Sequence, residues 1–465
     1  MPPVVLDLNN MLASALGERG LDPARLDGDL ADRFRGAHDG VRARHAAGDM
    51  GFLDLPDQTD SAAQVQSVAD SFGQWFENLV ILGIGGSALG ARAVRDALHG
   101  PLWNQRSDEQ RDHFPRLFVL DNVDPSSVRD LLSHVDVRRT LFNVISKSGS
   151  TAETMAQYLV VRDLLEREVG REKARGHFLF TTSPSKGILR VLANEEGVPT
   201  LAVPENVGGR FSVLSPVGLL PAAVTGVDTA ALLAGARAVV ERCRTNVLLD
   251  NPAGLLATLL HTAHEEHGAA IHVLMPYSDR LRSLSLWFQQ LWAESLGKAL
   301  ATDGSTVNAG PTPLPAIGAT DQHAQGQLFM EGPFDKVVIF LSVADQGDPV
   351  AIPPSPTDDP GLAYLGGHSI GELLDAERRA TTEALRLRGR PSMTLGIDRI
   401  DEDRLGRLLM LFELATVYAA ELYGVDALDQ PGVELGKDLT YGLLGREGYD
   451  ALDLDTGDDR WRVDC

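Results

Sequence analysis

Six stretches of the chain carry side chains able to do chemistry. The densest is Ser146-Lys147-Ser148-Gly149-Ser150-Thr151, with Thr154 one turn on. It follows an apolar run and opens a helical pattern, so its hydroxyls, a lysine and free backbone N–H groups gather at a helix N-terminus. One Ser or Thr suffices to cap a helix. Five hydroxyls within nine residues exceed that need and suit a phosphate monoester. Gly83-Ile84-Gly85-Gly86-Ser87 occupies a second strand-to-helix junction, where glycines let backbone approach a ligand. Gly83, Gly85 and Ala88 satisfy G-x-G-x-x-A, but no acidic residue closes the next strand ~20 positions on, and Asp121 lies well beyond that. A nicotinamide site is therefore not expected.

Four further stretches are open to two readings each. Gly208-Gly209-Arg210-Phe211-Ser212 presents an arginine either turned inward or exposed on a loop. Glu294 lies one turn after Gln290 and one turn before Lys298, on a helical pattern apolar nearly all round. That is either an ordinary i,i+4 pair worth about 0.2–0.5 kcal/mol, or a carboxylate in an apolar pocket with its pKa raised towards general-base range. His323, in Asp321-Gln322-His323-Ala324-Gln325, is a loop histidine that titrates near neutral pH or is merely solvated. Asp429 to Lys437 ends like a P-loop, but its glycine spacing is one residue short and Asp438 stands where Ser or Thr is required. His261, His264 and His267 flank Glu265 and Glu266; His264 and His267 are three apart, not four, so the stretch reads as a polar helix end rather than a zinc site.

These residues need elements to position them. NLVIL, RLFVL, TLFNVIS, HFLFTT and TLAVP read as strands, separated by the helical patterns SALGARAVRDALH, TAETMAQYLVVRDLLEREV and GILRVLANEEG. Strand–helix alternation with short turns implies a parallel sheet with both faces covered. The pattern restarts after about residue 225, with AAIHVLMPY, KVVIFLSVA and PSMTLGID as strands and a long helix at DRLGRLLMLFELATVYAAELYG. The fold class expected is α/β, with two tandem doubly wound domains at 46–225 and 226–410. Flanking helices are expected at 1–45 and 411–465. GDPVAIPPSPTDDPGLAYLGG reads as a loop.

The 465 residues carry 42 basic and 65 acidic side chains, a net charge of −23. That balance argues against non-specific nucleic-acid binding and against a polybasic membrane anchor. Two cysteines, Cys243 and Cys465, exclude a disulfide framework and an all-cysteine zinc site. The N-terminus lacks a signal-peptide pattern, and no stretch reaches ~18 apolar residues. A cytoplasmic globular protein is expected.

Taken in order, GIGGS, SKSGSTAET, GGRFS, QLWAESLGK, QHAQGQ and QPGVELGK resemble the phosphoglucose isomerase family, between residues 83 and 437. The resemblance implies two sugar-isomerase (SIS) domains and a cytoplasmic homodimer with the active site at its interface. The implied reaction interconverts glucose 6-phosphate and fructose 6-phosphate, in glycolysis and gluconeogenesis, with no cofactor and no metal. It assigns the phosphate to Ser87, Ser146, Ser148 and Thr151, with the backbone of Gly86, Lys147, Gly149 and Ser150 close by, and Gln290 to the sugar. It makes Glu294 the base between C1 and C2 and Arg210 the cation facing the enediolate. His323, from the neighbouring subunit, opens the ring, assisted by Lys437. Lys147, Arg210, Lys298 and Lys437 would then form a local positive pocket. Segment GATDQHAQGQ and Leu296 in ESLGK depart from the family pattern. Alternatives are a dual glucose/mannose-6-phosphate isomerase and a catalytically silent sugar-phosphate-binding regulator. The silent regulator would not need Glu294, His323 and Lys437 together.

Overall fold

The computed structural model describes residues 3–72, 75–450 and 462. A short strand, β1 (Val4–Asp7), comes first, and the helix Asp29–Ala46 follows. Then come β2 (Asn78–Leu82), β3 (Arg116–Leu120), β4 (Thr140–Ser146), β5 (Phe178–Thr182) and β6 (Thr200–Ala202). These five pair in the order β3-β2-β4-β5-β6, every pairing parallel. Parallel strands need crossover helices, which bury both sheet faces. Accordingly β2, β4 and β5 are buried at every position. From β2 the chain crosses to β3 on one side, then returns to β4 on the other. The crevice beyond the carboxyl ends of β2 and β4 is thus a topological switch point, where ligands bind in open α/β sheets.

The second half repeats the plan. Its strands are β7 (Ile271–Pro276), the hairpin β8 (Lys298–Leu300) and β9 (Thr306–Ala309), then β10 (Thr312–Pro315), β11 (Lys336–Asp345) and β12 (Ser392–Arg399). The larger sheet runs β1-β12-β11-β7-β10. Its pairings are parallel except at the edge, where β1 lies antiparallel on β12 with Val4 opposite Ile397. The alternation of strand and helix is as expected; the edge strand β1 and the hairpin were not anticipated. The Pro-rich stretch after β11 is largely irregular, with one short turn of helix at Pro360–Ala363.

One apolar core joins both halves. The helix Glu402–Tyr423 is buried at Leu405, Leu408, Leu409, Phe412, Ala415 and Val417. It runs against helix Thr229–Arg242 so closely that a Cβ on Gly406 would stand 1.9 Å from the Leu232 carbonyl oxygen. A Cβ on Gly235 would stand 2.0 Å from the carbonyl oxygen of Asp403. Helix Arg282–Leu296 leans on the same core. Its Phe288 ring lies 5.3 Å from Trp292 and 4.9 Å from Phe412. This packing turns Gln290 and Glu294, four residues apart, along one half-buried edge of the helix.

Candidate active site

The hydroxyl-rich loop leaves the carboxyl end of β4. Ser146 Oγ lies 2.9 Å from Thr151 Oγ1 and 3.4 Å from Ser148 Oγ. Ser148 Oγ is 3.4 Å from Thr151 Oγ1 and accepts from the Ser150 amide at 3.3 Å. The Gly149 amide donates to Ser146 Oγ at 3.1 Å. These groups form a small cup on the N-terminus of helix Ala152–Val169. Thr151 holds the N-cap position yet its side chain makes no capping bond. The first amides of an eighteen-residue helix therefore stay available to an anion.

The glycine turn leaves β2 beside that cup. A Cβ on Gly83 would stand 3.4 Å from the Ile145 carbonyl oxygen and 2.9 Å from Ser87 Cβ. Gly85 adopts φ +58°, and a Cβ there would stand 2.9 Å from Gln290 Nε2. A Cβ on Gly86 would stand 2.2 Å from the Gly209 carbonyl oxygen. This turn is therefore the place where the cup, the Arg210 turn and the Gln290–Glu294 edge meet. The glycines serve contact between protein backbones as much as contact with a ligand.

Arg210 is turned inward and is 4% exposed. Its Nε donates to Ser295 Oγ at 2.7 Å. Nη1 donates to Glu294 Oε1 at 3.2 Å and to Gln430 Oε1 at 2.9 Å. Nη2 donates to the carbonyls of Ala427 and of Asp429, the latter at 2.9 Å. The five N–H groups of the guanidinium thus meet five acceptors on two chain segments. Burial lowers its pKa from the ordinary value, against the pull of Glu294, Asp429 and Asp426. An arginine remains charged under such a shift. Glu294 also accepts from Gln290 Nε2 at 2.9 Å. Its carboxylate faces a guanidinium and an amide, not the apolar pocket the sequence allowed.

The lysines do not assemble as expected. Lys147 Nζ donates to the carbonyls of Glu205 and Val207 at 2.7 and 2.9 Å. Lys298 Nζ donates to the carbonyls of Glu294 and Ser295 at 2.7 and 2.8 Å, closing the last turn of the helix. Burial lowers the pKa of both. Lys437 lies on the exposed helix Glu434–Leu443 and pairs with Glu434 at 2.7 Å. Among the described residues no hydrogen bond or ion pair joins it to Glu294 or Arg210. The expected four-cation pocket is thus replaced by Arg210, with two ammonium groups occupied by main-chain carbonyls and one outside. His323 is exposed on the short helix Thr320–Ala324. Gln322 pins that helix to helix Ile370–Leu387, donating to the Glu377 carbonyl at 3.1 Å and to Thr381. Ser295, Ala427, Asp429 and Gln430 are partners of Arg210 that the sequence reading missed. Ser295, Asp429 and Gln430 had a signal, their places in the QLWAESLGK and Asp429–Lys437 stretches; Ala427 had none.

The remaining motifs fall elsewhere. His264 Nδ1 lies 2.8 Å from Tyr423 Oη, and Glu266 pairs with Arg25 at 2.6 Å, so the histidine-rich helix end ties helices together. Among the described residues no group of His, Cys, Asp and Glu is placed to hold a metal ion. No described helix is long and apolar enough to cross a membrane. Cys465 lies outside the described residues.

The chain is similar to known proteins over most of its length. A protein named glucose-6-phosphate isomerase from Carboxydothermus hydrogenoformans is 44% identical over 96% of this chain and 95% of its own. One of the same name from Rubrobacter xylanophilus is 44% identical over 97% of this chain and 100% of its own. Among solved structures, a hypothetical protein of Thermus thermophilus superposes with TM-score 0.84 at 37% identity, covering 95% of this chain and 100% of that one. A glucose-6-phosphate isomerase of Chlamydia trachomatis superposes with TM-score 0.73 at 25% identity, over 83% of this chain and 73% of that one. The sequence also matches the Phosphoglucose isomerase family over residues 61–347 and 372–448, a span that holds the cup, the glycine turn, Arg210, Glu294, His323 and Lys437. With that match over most of its length and relatives 44% identical across it, the chain belongs to the phosphoglucose isomerase family.

Proposed function

We propose that the protein is a glucose-6-phosphate isomerase, interconverting glucose 6-phosphate and fructose 6-phosphate. One observation carries this reading: the Glu294–Arg210 pair, 3.2 Å apart, shares the glycine turn with the hydroxyl cup at the carboxyl end of the first sheet. In this reading the phosphate occupies the cup, held by Ser87, Ser146, Ser148 and Thr151 and by the amides of Gly86 and Lys147 to Ser150. Gln290 contacts the sugar. The phosphate then sets the open chain so that C1 and C2 reach Glu294. The carboxylate takes the proton from C2 of the aldose; that electron pair forms the C1–C2 double bond while the C1 carbonyl pair moves onto O1, and a proton passing from O2 to O1 completes the cis-enediol stage. Glu294 returns its proton to C1 as the electron pair on O2 forms the C2 carbonyl, which yields the ketose. Negative charge that develops on oxygen during transfer is stabilised by Arg210. Since the five N–H groups of Arg210 are engaged, it acts chiefly through its charge, or by exchanging the Gln430 contact for substrate.

Ring opening falls to His323, helped by Lys437. His323 stands exposed on its own subunit, which supports its delivery to the site of a second one. We accordingly read the active form as a homodimer with its sites at the interface. Domain limits of 46–225 and 226–410, each around one sheet, with the end segments packed on them, belong to the same reading. So does a cytoplasmic location.

The test is a coupled assay. Fructose 6-phosphate is given to EDTA-treated enzyme and glucose 6-phosphate is followed through a dehydrogenase, with mannose 6-phosphate run in parallel. Rapid EDTA-resistant turnover is expected. Sugar phosphate bound without turnover would instead indicate a silent binding module.

A further inference from the structure

Lys147 sits in the middle of the hydroxyl loop, yet its ammonium points away from the cup. Its acceptors, the carbonyls of Glu205 and Val207, belong to the turn that runs into Gly208-Gly209-Arg210. One side chain therefore ties the loop after β4 to the loop after β6. The loop after β5 joins the same knot. The Glu205 carboxylate accepts from Ser183 Oγ at 2.6 Å and Ser185 Oγ at 3.2 Å, and pairs with Lys186 at 3.1 Å. Gly149 of the cup lies against this loop too: a Cβ on it would stand 3.1 Å from Gly187 Cα. Glu205 is thus held at both ends, its carboxylate by residues 183–186 and its carbonyl by Lys147.

We propose that Lys147 and Glu205 form a strut of positioning residues that holds the phosphate cup and the Arg210 turn in register, and that the Lys147 ammonium is not a phosphate ligand. The proposal rests on the isomerase reading of this site. Two of the three ammonium N–H groups are already taken by carbonyls, while the cup has its own hydroxyls and an uncapped helix start for the anion. Shifting the cup against Arg210 would misplace the sugar relative to Glu294. Displacements of that kind cost about ten- to a hundredfold in turnover.

The test uses the full-length protein and the variants Lys147→Met, Glu205→Ala and their double. Kinetics are combined with a titration of inorganic phosphate as the anion probe. If the strut exists, both single variants lower kcat and weaken phosphate by similar factors. The double is then no worse than the poorer single, because partners in one unit are not additive. Lys147→Arg, which can reach the same carbonyls, regains part of kcat. If Lys147 binds phosphate directly, only Lys147→Met weakens phosphate, Glu205→Ala is near wild type, and the losses multiply. That result overturns the proposal, as would wild-type behaviour in both singles. Melting temperatures identify misfolded variants. Should Glu205→Ala misfold, the double variant Ser183→Ala with Ser185→Ala replaces it: freeing the Glu205 carboxylate should lower kcat and weaken phosphate as Lys147→Met does, and wild-type behaviour there would overturn the proposal. If the wild type shows no isomerase turnover, the isomerase reading fails, and the phosphate titration still decides whether the strut exists.

Discussion

At Glu294 the local chemistry is a half-buried carboxylate held between an amide and a guanidinium. Gln290 and Arg210 aim its two oxygens separately, Oε2 towards the amide and Oε1 towards Nη1. A base so oriented needs no apolar pocket. Glu294→Gln keeps the size and, through its amide oxygen, one of the two accepted hydrogen bonds, and removes the proton acceptor. It should lower kcat by about 10²–10⁴-fold, the usual worth of a positioned general base, with little change in sugar-phosphate affinity. Steady-state kinetics beside direct binding would check this, and wild-type turnover in the variant would falsify the assignment. Gly86 offers a second test at this scale. A side chain there has no room against the Gly209 carbonyl, so Gly86→Ala should separate the two turns and reduce kcat and phosphate affinity together. The hydroxyls of the cup were legible in the sequence because they sit within nine consecutive residues. The directions of the lysines were not, since each ammonium ends on a long stem that follows whichever acceptor the fold brings near.

Helix Glu402–Tyr423 dominates the element scale, because both halves pack on it. Glu413 is fully buried within it, and neither carboxylate oxygen has a hydrogen-bond partner. Burial raises its pKa well above the ordinary 4.5, so the folded chain carries it as the neutral acid. Below pH 4.5 the group is protonated in both states and does not oppose folding. As pH rises above 4.5, the unfolded chain ionises and stability is lost. Glu413→Met should therefore stabilise by about 1–3 kcal/mol in mild acid, with a margin that widens towards neutral pH. Urea melts at a series of pH values would check it; a constant or shrinking margin would contradict the buried acid. His272 works in the opposite sense. Its Nδ1 accepts from Trp292 Nε1 at 3.1 Å, and burial pulls its pKa down to about 3. Its contribution is complete above 6.5 and is lost as pH falls towards 3. Close helix contact supplies a further test. Gly406→Ala, forced against the Leu232 carbonyl, should cost about 1–3 kcal/mol in the same melts while leaving KM unchanged.

At the scale of the whole molecule, the proposed isomerase site would be incomplete within one chain. Glu294 and Arg210 are in place, while His323 faces outward and Lys437 is paired with Glu434. A second subunit that supplies His323 predicts complementation. Glu294→Gln and His323→Ala homodimers should each be nearly inactive. After the two are unfolded and refolded together, half the dimers carry one intact site, and activity should return to about a quarter of wild type. Were His323 used within its own chain, every site in the mixed dimer would carry one defect, and the mixture would stay inactive.

The alternation of strands and helices, the strand-to-helix loops and the hydroxyl cup followed from residues close together in the chain, where period and turn chemistry are set locally. The edge strand β1 did not, because a four-residue strand is defined by the partner it finds, here β12 almost four hundred residues on. Nor did the engagement of Arg210, whose acceptors at Ala427, Asp429 and Gln430 lie more than two hundred residues away. Sequence alone set which groups were available to the proposed phosphate binding and proton transfer. Tertiary structure decided which cation faces Glu294 and which are held by carbonyls, because a hydrogen bond depends on distance in space and direction rather than on separation along the chain.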